Sequence, residues 1–388
     1  MRLRRLARLD ALPAAAWDRC FPPDYPFTRH AFLAALERHG CAAPATGWTP
    51  CHAVLEDAAG QVLAAAPLYF KTHSYGEFVF DFAWAQASHR LGQRYYPKLL
   101  CAIPFTPATG PRLGAVDEAA RGALAQRLAQ LPAREGLSSL HALFLDGDDL
   151  AACRRAGGLE RRDVQFHWHN RGYADFDEFL ARLSADKRKK ILRERRRVVE
   201  AGLRFEHRVG DELTEREWRA VYALYANTYD ERGQSPYLTP EFFLDYGQKP
   251  GTPVRLILGY EGREIVAVAI TLIGGDTLYG RHWGARAYYH SLHFETCYYQ
   301  GIEYCIRQGL ARYDAGAQGG EHKLPRGFLP ARTHSTHWLA DARLRGAVAA
   351  ALTQERGWLD EQETLLAAHS PYKRQATAAA RGEEQSDG

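Results

Sequence analysis

Three groups of residues in this sequence have the types and spacing to do acid–base or oxyanion chemistry. The first is Lys323 with Arg326, a basic pair that follows a short strand and the run Gly316-Ala-Gln-Gly-Gly320. A cation after such a turn can hold a phosphate or the oxyanion of a tetrahedral intermediate; a solvated loop lysine is the plain alternative. The second is His293-Phe-Glu295 at the start of a helix that carries Tyr298, Tyr299 and Gln300. Glu295 either complements the helix dipole or takes a proton from an amine nucleophile, and His293 either caps the helix or joins the site. The third is Glu77 and Asp81, which alternate with Phe78, Phe80, Phe82 and Trp84 and follow His73 and Tyr75. Carboxylates on one face of an aromatic strand can bind an ammonium group or act as a base; the alternative is pairing with Arg94 or Arg112.

The elements that must position these groups follow from periodicity and turn chemistry. Residues 52–56 and 61–70 read as a hairpin turned at Gly60, and 77–84 as a further strand. A Pro-rich aromatic connection of 85–117 follows, with Arg94-Tyr-Tyr-Pro-Lys98 and Pro104-Phe-Thr-Pro. Its length and composition predict an ordered binding loop. Residues 118–134 predict a helix, 139–145 a strand, 148–156 a helix and 163–169 a strand. The order then restarts: a hairpin turned at Gly262, a strand ending in Trp283, a helix over 293–308, a strand at 311–315 and a strand ending in Trp338. The pattern predicts two copies of one α/β unit. The second copy replaces a helix with Gly319-Gly-Glu-His-Lys323, which marks it as the copy to carry chemistry. Between the copies, 187–197 holds eight basic residues in eleven, offset by Glu194 alone. Such a helix is either solvated or tracks phosphates of tRNA, CoA or anionic headgroups.

Composition narrows the classes. The 388 residues carry a net charge of +4, so any polyanion binding must come from a local patch. Seven cysteines without CxxC or zinc spacing predict reduced thiols and no metal site. No apolar run is long enough for a membrane span, and no Walker A, GxSxG or HExxH motif is present.

Several segments resemble a known family. Lys71-Thr-His-Ser-Tyr-Gly-Glu77, Tyr95-Tyr-Pro-Lys98, Thr109-Gly-Pro-Arg112, Gln165-Phe-His-Trp168, His293-Phe-Glu295, Tyr298-Tyr-Gln300, Gly316-Ala-Gln-Gly319 and His322-Lys323 are similar to the FemAB-like peptidoglycan biosynthesis/recognition N-acyltransferases. The resemblance spans roughly 25–358. It implies an α/β (α+β) fold of two tandem GNAT-like domains, each a mixed, mostly antiparallel sheet flanked by helices. The boundaries expected are 1–170 and 171–374, the second domain carrying the basic helix 184–201, with a disordered tail at 375–388. It implies transfer of an acyl or aminoacyl group to an amine, with Lys323, Glu295, Glu77 and Asp81 as catalytic candidates. The substrate contacts expected are His73, Tyr75, Tyr95, Lys98, Phe105, Arg112, Trp283, His293, Tyr298, Tyr299, Gln318, His322 and Arg326. Lys187, Arg188, Lys190 and Arg193 would hold anions.

No tightly bound cofactor is expected; the donor would be acyl-CoA, acyl carrier protein or aminoacyl-tRNA, and the acceptor a lipid, peptide or cell-wall amine. Neither Arg90-Leu-Gly92 nor Gly284-Ala-Arg286 fits the usual GNAT pyrophosphate loop, so CoA does not follow from motif. No long coiled-coil insertion of the FemABX kind is visible. Some related bacterial acyltransferases are thought to make ceramide, which keeps a sphingoid amine open as acceptor. A module without catalysis that binds RNA or membrane through 187–197 is the rival class. The expected setting is cytoplasmic, or peripheral at the inner membrane. On this reading Lys323→Ala and Glu295→Gln both abolish transfer.

Overall fold

The computed structural model describes residues 1–317 and 320–373, with the backbone alone at Glu321. The expected contact Gln318 and the expected tail 375–388 lie outside the described residues. Fifteen strands are formed among the described residues. In the first half they are β1 (Arg2–Leu6), β2 (Trp48–Pro50), β3 (His52–Glu56), β4 (Val62–Ala66), β5 (Leu68–Lys71), β6 (Lys98–Cys101), β7 (Gly114–Ala115), β8 (Ser139–Ala142) and β9 (Leu159–His169). In the second they are β10 (Leu203–Val209), β11 (Val254–Glu261), β12 (Glu264–Gly274), β13 (Thr277–Ala285), β14 (Arg312–Asp314) and β15 (Leu329–Leu339). The helices that bear on the site are α1 (Phe82–Arg90), α2 (Glu118–Glu135), α3 (Ala185–Glu200), α4 (Glu215–Asp230), α5 (Gln300–Gln308) and α6 (Ala342–Ala368).

The hairpin turned at Gly60 is divided between two sheets. Pro67 has no N–H to give to a ladder, and the chain breaks there and, opposite it, at Cys51. The outer segments β3 and β4 join β1 and β7 in a small sheet. The inner segments β2 and β5 enter a sheet of eleven strands, ordered β10-β11-β12-β13-β14-β9-β15-β8-β6-β5-β2. Its centre is made by exchange. β9 of the first half pairs with β14 of the second, and β15 pairs with both β9 and β8. The β9–β15 register runs from Leu159↔His337 to His167↔Leu329, so one long antiparallel ribbon fuses the halves.

The expected repeat is present as two equivalent parallel pairs, β6 with β8 and β13 with β14, each connected through a helix, α2 or α5. This is the tandem GNAT-like α/β architecture. One element differs from expectation. Residues 77–84 are not a strand: Gly76 and Phe78 have φ of 79° and 61°, and Phe82 begins α1. Left-handed backbone cannot continue a strand. The aromatic alternation mimicked period two, while Ala83, Ala85, Gln86 and Ala87 favour helix. The strand homologous to β13 is instead β6, within the connection expected to be loop.

α4 packs against β13 at Gly284 without a side chain between them. A Cβ on Gly284 would overlap the Leu224 carbonyl, backbone that cannot move aside. We expect Gly284→Ala to cost about 1–3 kcal/mol, as overpacking does, read as a lower denaturant midpoint. A midpoint equal to that of the unsubstituted protein would show that α4 can shift off the strand.

Candidate active site

The site starts where two parallel strands part. β13 and β14 pair only at Thr277↔Arg312, Leu278↔Tyr313 and Tyr279↔Asp314. β13 continues to Ala285, whereas the chain after Asp314 turns away at Gly316, φ 83°. Among the described residues no strand pairs with that edge of β13 beyond Tyr279. Gly280 stands at the fork, with the Tyr313 hydroxyl 3.2 Å and the Ala315 backbone 3.3 Å from where its Cβ would be. The wedge opens into a cleft of about 440 Å³.

Both faces of the sheet supply its walls, because neighbouring residues of β13 point to opposite sides. His282 faces α4, its ring 5.0 Å from Tyr225. Trp283 faces the other side, its ring 5.2 Å from His293. Tyr229 and Tyr237 line the α4 side, and His293, Cys297 and Tyr298 the opposite one. The first half closes the top through Phe105, which stacks on Tyr237 at 4.6 Å. Arg281 crosses from β13 to donate to the Phe105 carbonyl. Thr228 and Asn227 of α4 donate to the carbonyls of Trp283 and Ala285, 2.9 Å each, fixing the strand edge.

Lys323 lies under the fork. A single helical turn, Gly320–Lys323, carries it, and its ammonium donates to the Gly316 carbonyl on the cleft wall. Only 1% of the residue is exposed. Burial lowers its pKa to about 8, with Asp314 and Cys297 opposing part of the shift. Asp314 is buried too and accepts from the Gly316 N–H at 2.9 Å, which shapes the turn. His293 is pushed down to about 4, first by burial and then by Arg326, His322 and Lys323. It is therefore neutral near pH 7 and can accept a proton. Burial raises the Tyr298 phenol, so it stays protonated and can donate one.

The remaining expected site residues fall into separate places. Phe105, Trp283, His293, Tyr298 and the exposed His322 line the cleft. Glu295 does not. It sits in a π-helical turn, Glu295–Tyr299, and pairs with Arg195 of α3 at 3.0 Å, which also holds Glu303 at 2.8 Å. The extra residue of the π turn aims Glu295 back at α3, while His293 and Tyr298 face the cleft. Its predicted place as base beside Tyr298 is thus corrected. Arg326 and Tyr299 are likewise structural: both bind Glu194, and Arg326 lies 3.4 Å over the Phe294 ring. We now expect Glu295→Gln to keep the transfer rate within about threefold while lowering stability by about 1–3 kcal/mol, the range for weakening a buried hydrogen-bonded charge. A loss of turnover without a loss of stability would return Glu295 to the chemistry.

A second polar cluster occupies the first half, outside the cleft. Lys98 is fully buried and bonds Glu77 at 2.8 Å, Asp81 at 2.5 Å and Ser74 at 2.8 Å. Tyr95 donates to Asp81 at 2.6 Å. His73 and the exposed Tyr75 flank it, rings 5.4 Å apart. Arg112 holds its own loop together through the carbonyls of Ala108, 2.6 Å, and Pro111, 3.1 Å. Lys187, Arg188, Lys190 and Arg193 lie along α3 and have no carboxylate partner among the described residues. No group of three or more His, Cys, Asp or Glu is placed to hold a metal among the described residues, and no described helix is long and apolar enough to cross a membrane.

Arg232, Tyr237, Arg281 and His282 are among the cleft residues that sequence reasoning passed over. Arg281 and His282 had a signal, two polar residues inside a strand otherwise aromatic and small. Tyr237 had none, since its place depends on stacking with Phe105 across the halves.

Comparison with known proteins agrees with this architecture. The C-terminal domain of a putative lysylphosphatidylglycerol synthetase from Agrobacterium fabrum superposes with a TM-score of 0.52 at 11% identity, over 88% of this chain and 95% of that one. A conserved protein of unknown function from Bacteroides thetaiotaomicron gives 0.52 at 11% identity, over 87% and 100%. The L-PGS of Bacillus licheniformis gives 0.50 at 11% identity, over 82% and 94%. At such identities these likenesses speak for the fold. No curated protein sequence matches. The profile of the FemAB-like family, described as peptidoglycan biosynthesis/recognition, matches residues 8–374. The chain therefore belongs to the FemAB-like family, and it is an enzyme, an acyl or aminoacyl transferase.

Proposed function

We propose that the cleft at the β13–β14 fork transfers an acyl or aminoacyl group from an activated donor, an ester or thioester, to a primary amine. The observation that carries this reading is the unpaired edge of β13 with the Lys323 ammonium beneath its fork. The donor carbonyl oxygen lies between that ammonium and the N–H groups of the strand edge. Donors aimed at the developing oxyanion are worth most where water is excluded. The amine nitrogen attacks the carbonyl carbon to give a tetrahedral oxyanion, and His293 takes the proton the new ammonium releases. Collapse restores the carbonyl and breaks the bond to the leaving oxygen or sulfur, which takes a proton from Tyr298; the imidazolium of His293, its ring 5.4 Å from that of Tyr298, then returns its proton to the phenolate. The products are an amide and a free hydroxyl or thiol. The acceptor enters from the α4 side, past Arg232 and Tyr237, and is a peptidoglycan-precursor or lipid amine. The phosphates of a tRNA or CoA donor fall to Lys187, Arg188, Lys190 and Arg193 of α3, which have no carboxylate partner among the described residues.

The test compares amides by mass spectrometry in cells lacking the gene and in cells complemented with it. An amide that disappears on deletion, and returns with the unsubstituted protein but not with Lys323→Ala, is the expected result. Return of the same amide with Lys323→Ala would reject the site.

A further inference from the structure

A groove of about 780 Å³ runs along the outer half of α6, away from the cleft walls just described. Its sides are apolar: Phe166 of β9, Leu324 and Pro325 after the Lys323 turn, and Trp358, Leu365 and Leu366 of α6. Upstream, α6 buries Leu344, Val348 and Leu352 against the sheet. In its last turns it leaves Trp358 62% and Leu365 63% exposed at the groove. The gap is built and not frayed, because the chain after α6 is tied down. The Tyr372 hydroxyl donates to the Gly327 carbonyl at 2.7 Å, Ser184 N–H to the Pro371 carbonyl at 2.9 Å, and Lys373 N–H to the Arg182 carbonyl at 2.9 Å.

The groove begins at the segment that carries Lys323. Gly320, Leu324 and Pro325 wall it, and Lys323 lies between them in the chain. A smaller cavity of about 180 Å³ borders both regions, sharing Phe78 and Ala317 with the cleft and Asp163 and Val164 with the groove. We propose that this groove holds the hydrocarbon chain of the acyl donor. The assignment rests on Lys323 marking the carbonyl. The substituent bonded directly to that carbon leaves from the Lys323 turn, where the groove starts, whereas any tail on the acceptor is set back by the amine. The chemistry of the walls favours a hydrocarbon over a peptide. An extended peptide would bury amide groups against apolar side chains with few partners. The polar groups of the lining are Asp163, Lys187, Glu355, Gln362 and His369; Asp163 and His369 are exposed, and Glu355 is paired with Arg161 at 2.9 Å.

The experiment is calorimetric titration of the full chain with saturated alkanoates of increasing length, below their micelle concentrations. Burial of each added methylene in the groove strengthens binding about fourfold, until the groove is full. The surface variant Trp358→Asp/Leu365→Asp should fold normally and flatten that dependence. A flat dependence in the unsubstituted protein overturns the proposal. So does a length dependence that the double variant keeps. Alkylamines that show the dependence in place of alkanoates would assign the groove to the acceptor and overturn the donor assignment. A dimer that the double variant dissociates, with no alkanoate binding, would make the groove an interface between copies and overturn it as well. The slope with chain length does not depend on Lys323: Lys323→Ala that remains active while the slope persists refutes the catalytic reading and with it the donor assignment, whereas a lost slope with Lys323→Ala inactive refutes the groove alone.

Discussion

Replacing Lys323 with alanine lowers kcat about 10²–10³-fold, the loss expected for removing one oxyanion donor, and leaves the fold in place. The side chain is buried, so the truncation has a structural cost that must be separated. It removes the donor to the Gly316 carbonyl and relieves the desolvation that already holds the ammonium down to about 8. These terms oppose each other, and the net change in stability is small beside the kinetic one. The pH profile separates them further. The ammonium is the active form, so transfer falls as pH rises through about 8. Stability moves the other way. The folded pKa lies below the unfolded value of about 10.4, so the folded state binds fewer protons between those values and gains stability as pH rises. Lys323→Arg should lose the alkaline limb of the rate profile, because guanidinium keeps its charge. An alkaline limb unchanged in Lys323→Arg would assign that limb to another group and remove Lys323 from the oxyanion.

How far the sequence exposed this site depends on what each residue's position rests on. Lys323, His293 and Tyr298 were legible because short-range signals place them: a strand, a glycine turn, a helix start. The strands over 254–260, 265–273 and 277–283 were legible between the turns at Gly262 and Gly275, and the structure extends them by one or two residues. Glu295 failed for a local reason. A π turn adds one residue to the helix, which rotates everything before it relative to a 3.6-residue pattern, and no periodicity announces that. Residues 77–84 failed because two patterns overlap there. Aromatic alternation reads as strand, whereas positive φ at Phe78 and the alanines after Asp81 make it a bend and a helix. The exchange of β9 and β15, and the closure of the cleft by Phe105 on Tyr237, are long-range pairings, and nothing in a single sequence fixes them.

The cluster around Lys98 carries the other large effect, and it concerns stability. Burial would lower the Lys98 pKa, but Glu77 and Asp81 outweigh it and hold the ammonium charged. Burial would likewise raise Asp81, and Lys98, His141 and Ser74 outweigh it, keeping that carboxyl well below its usual range. Glu77 keeps one oxygen without a partner, and burial raises it to about 7. Asp81 is thus the principal partner and Glu77 the partly compensated one. Lys98→Met strips the cation from two buried carboxylates, a change that costs about 3–5 kcal/mol when one partner of a buried pair is removed. The deficit should shrink in acid. Without Lys98 both carboxyls rise, the folded state binds more protons, and stability falls as pH rises; the loss is then smaller near pH 5 than near pH 8. In the unsubstituted protein the two carboxyls pull in opposite directions. Asp81 contributes stability above its unfolded pKa of about 3.9, lost as pH falls. Glu77 contributes below its unfolded pKa of about 4.3, lost as pH rises through about 7. If Lys98→Met does not fold, adding Glu77→Gln and Asp81→Asn restores a foldable chain, since removing every charge avoids the uncompensated ones. Urea unfolding that moves by less than about 1 kcal/mol in Lys98→Met would mean that water reaches the cluster. Because Phe78 lies between these two carboxylates in the chain and lines the cleft, a destabilised cluster should also loosen that wall. The Michaelis constant should rise while kcat holds, the opposite signature to Lys323→Ala.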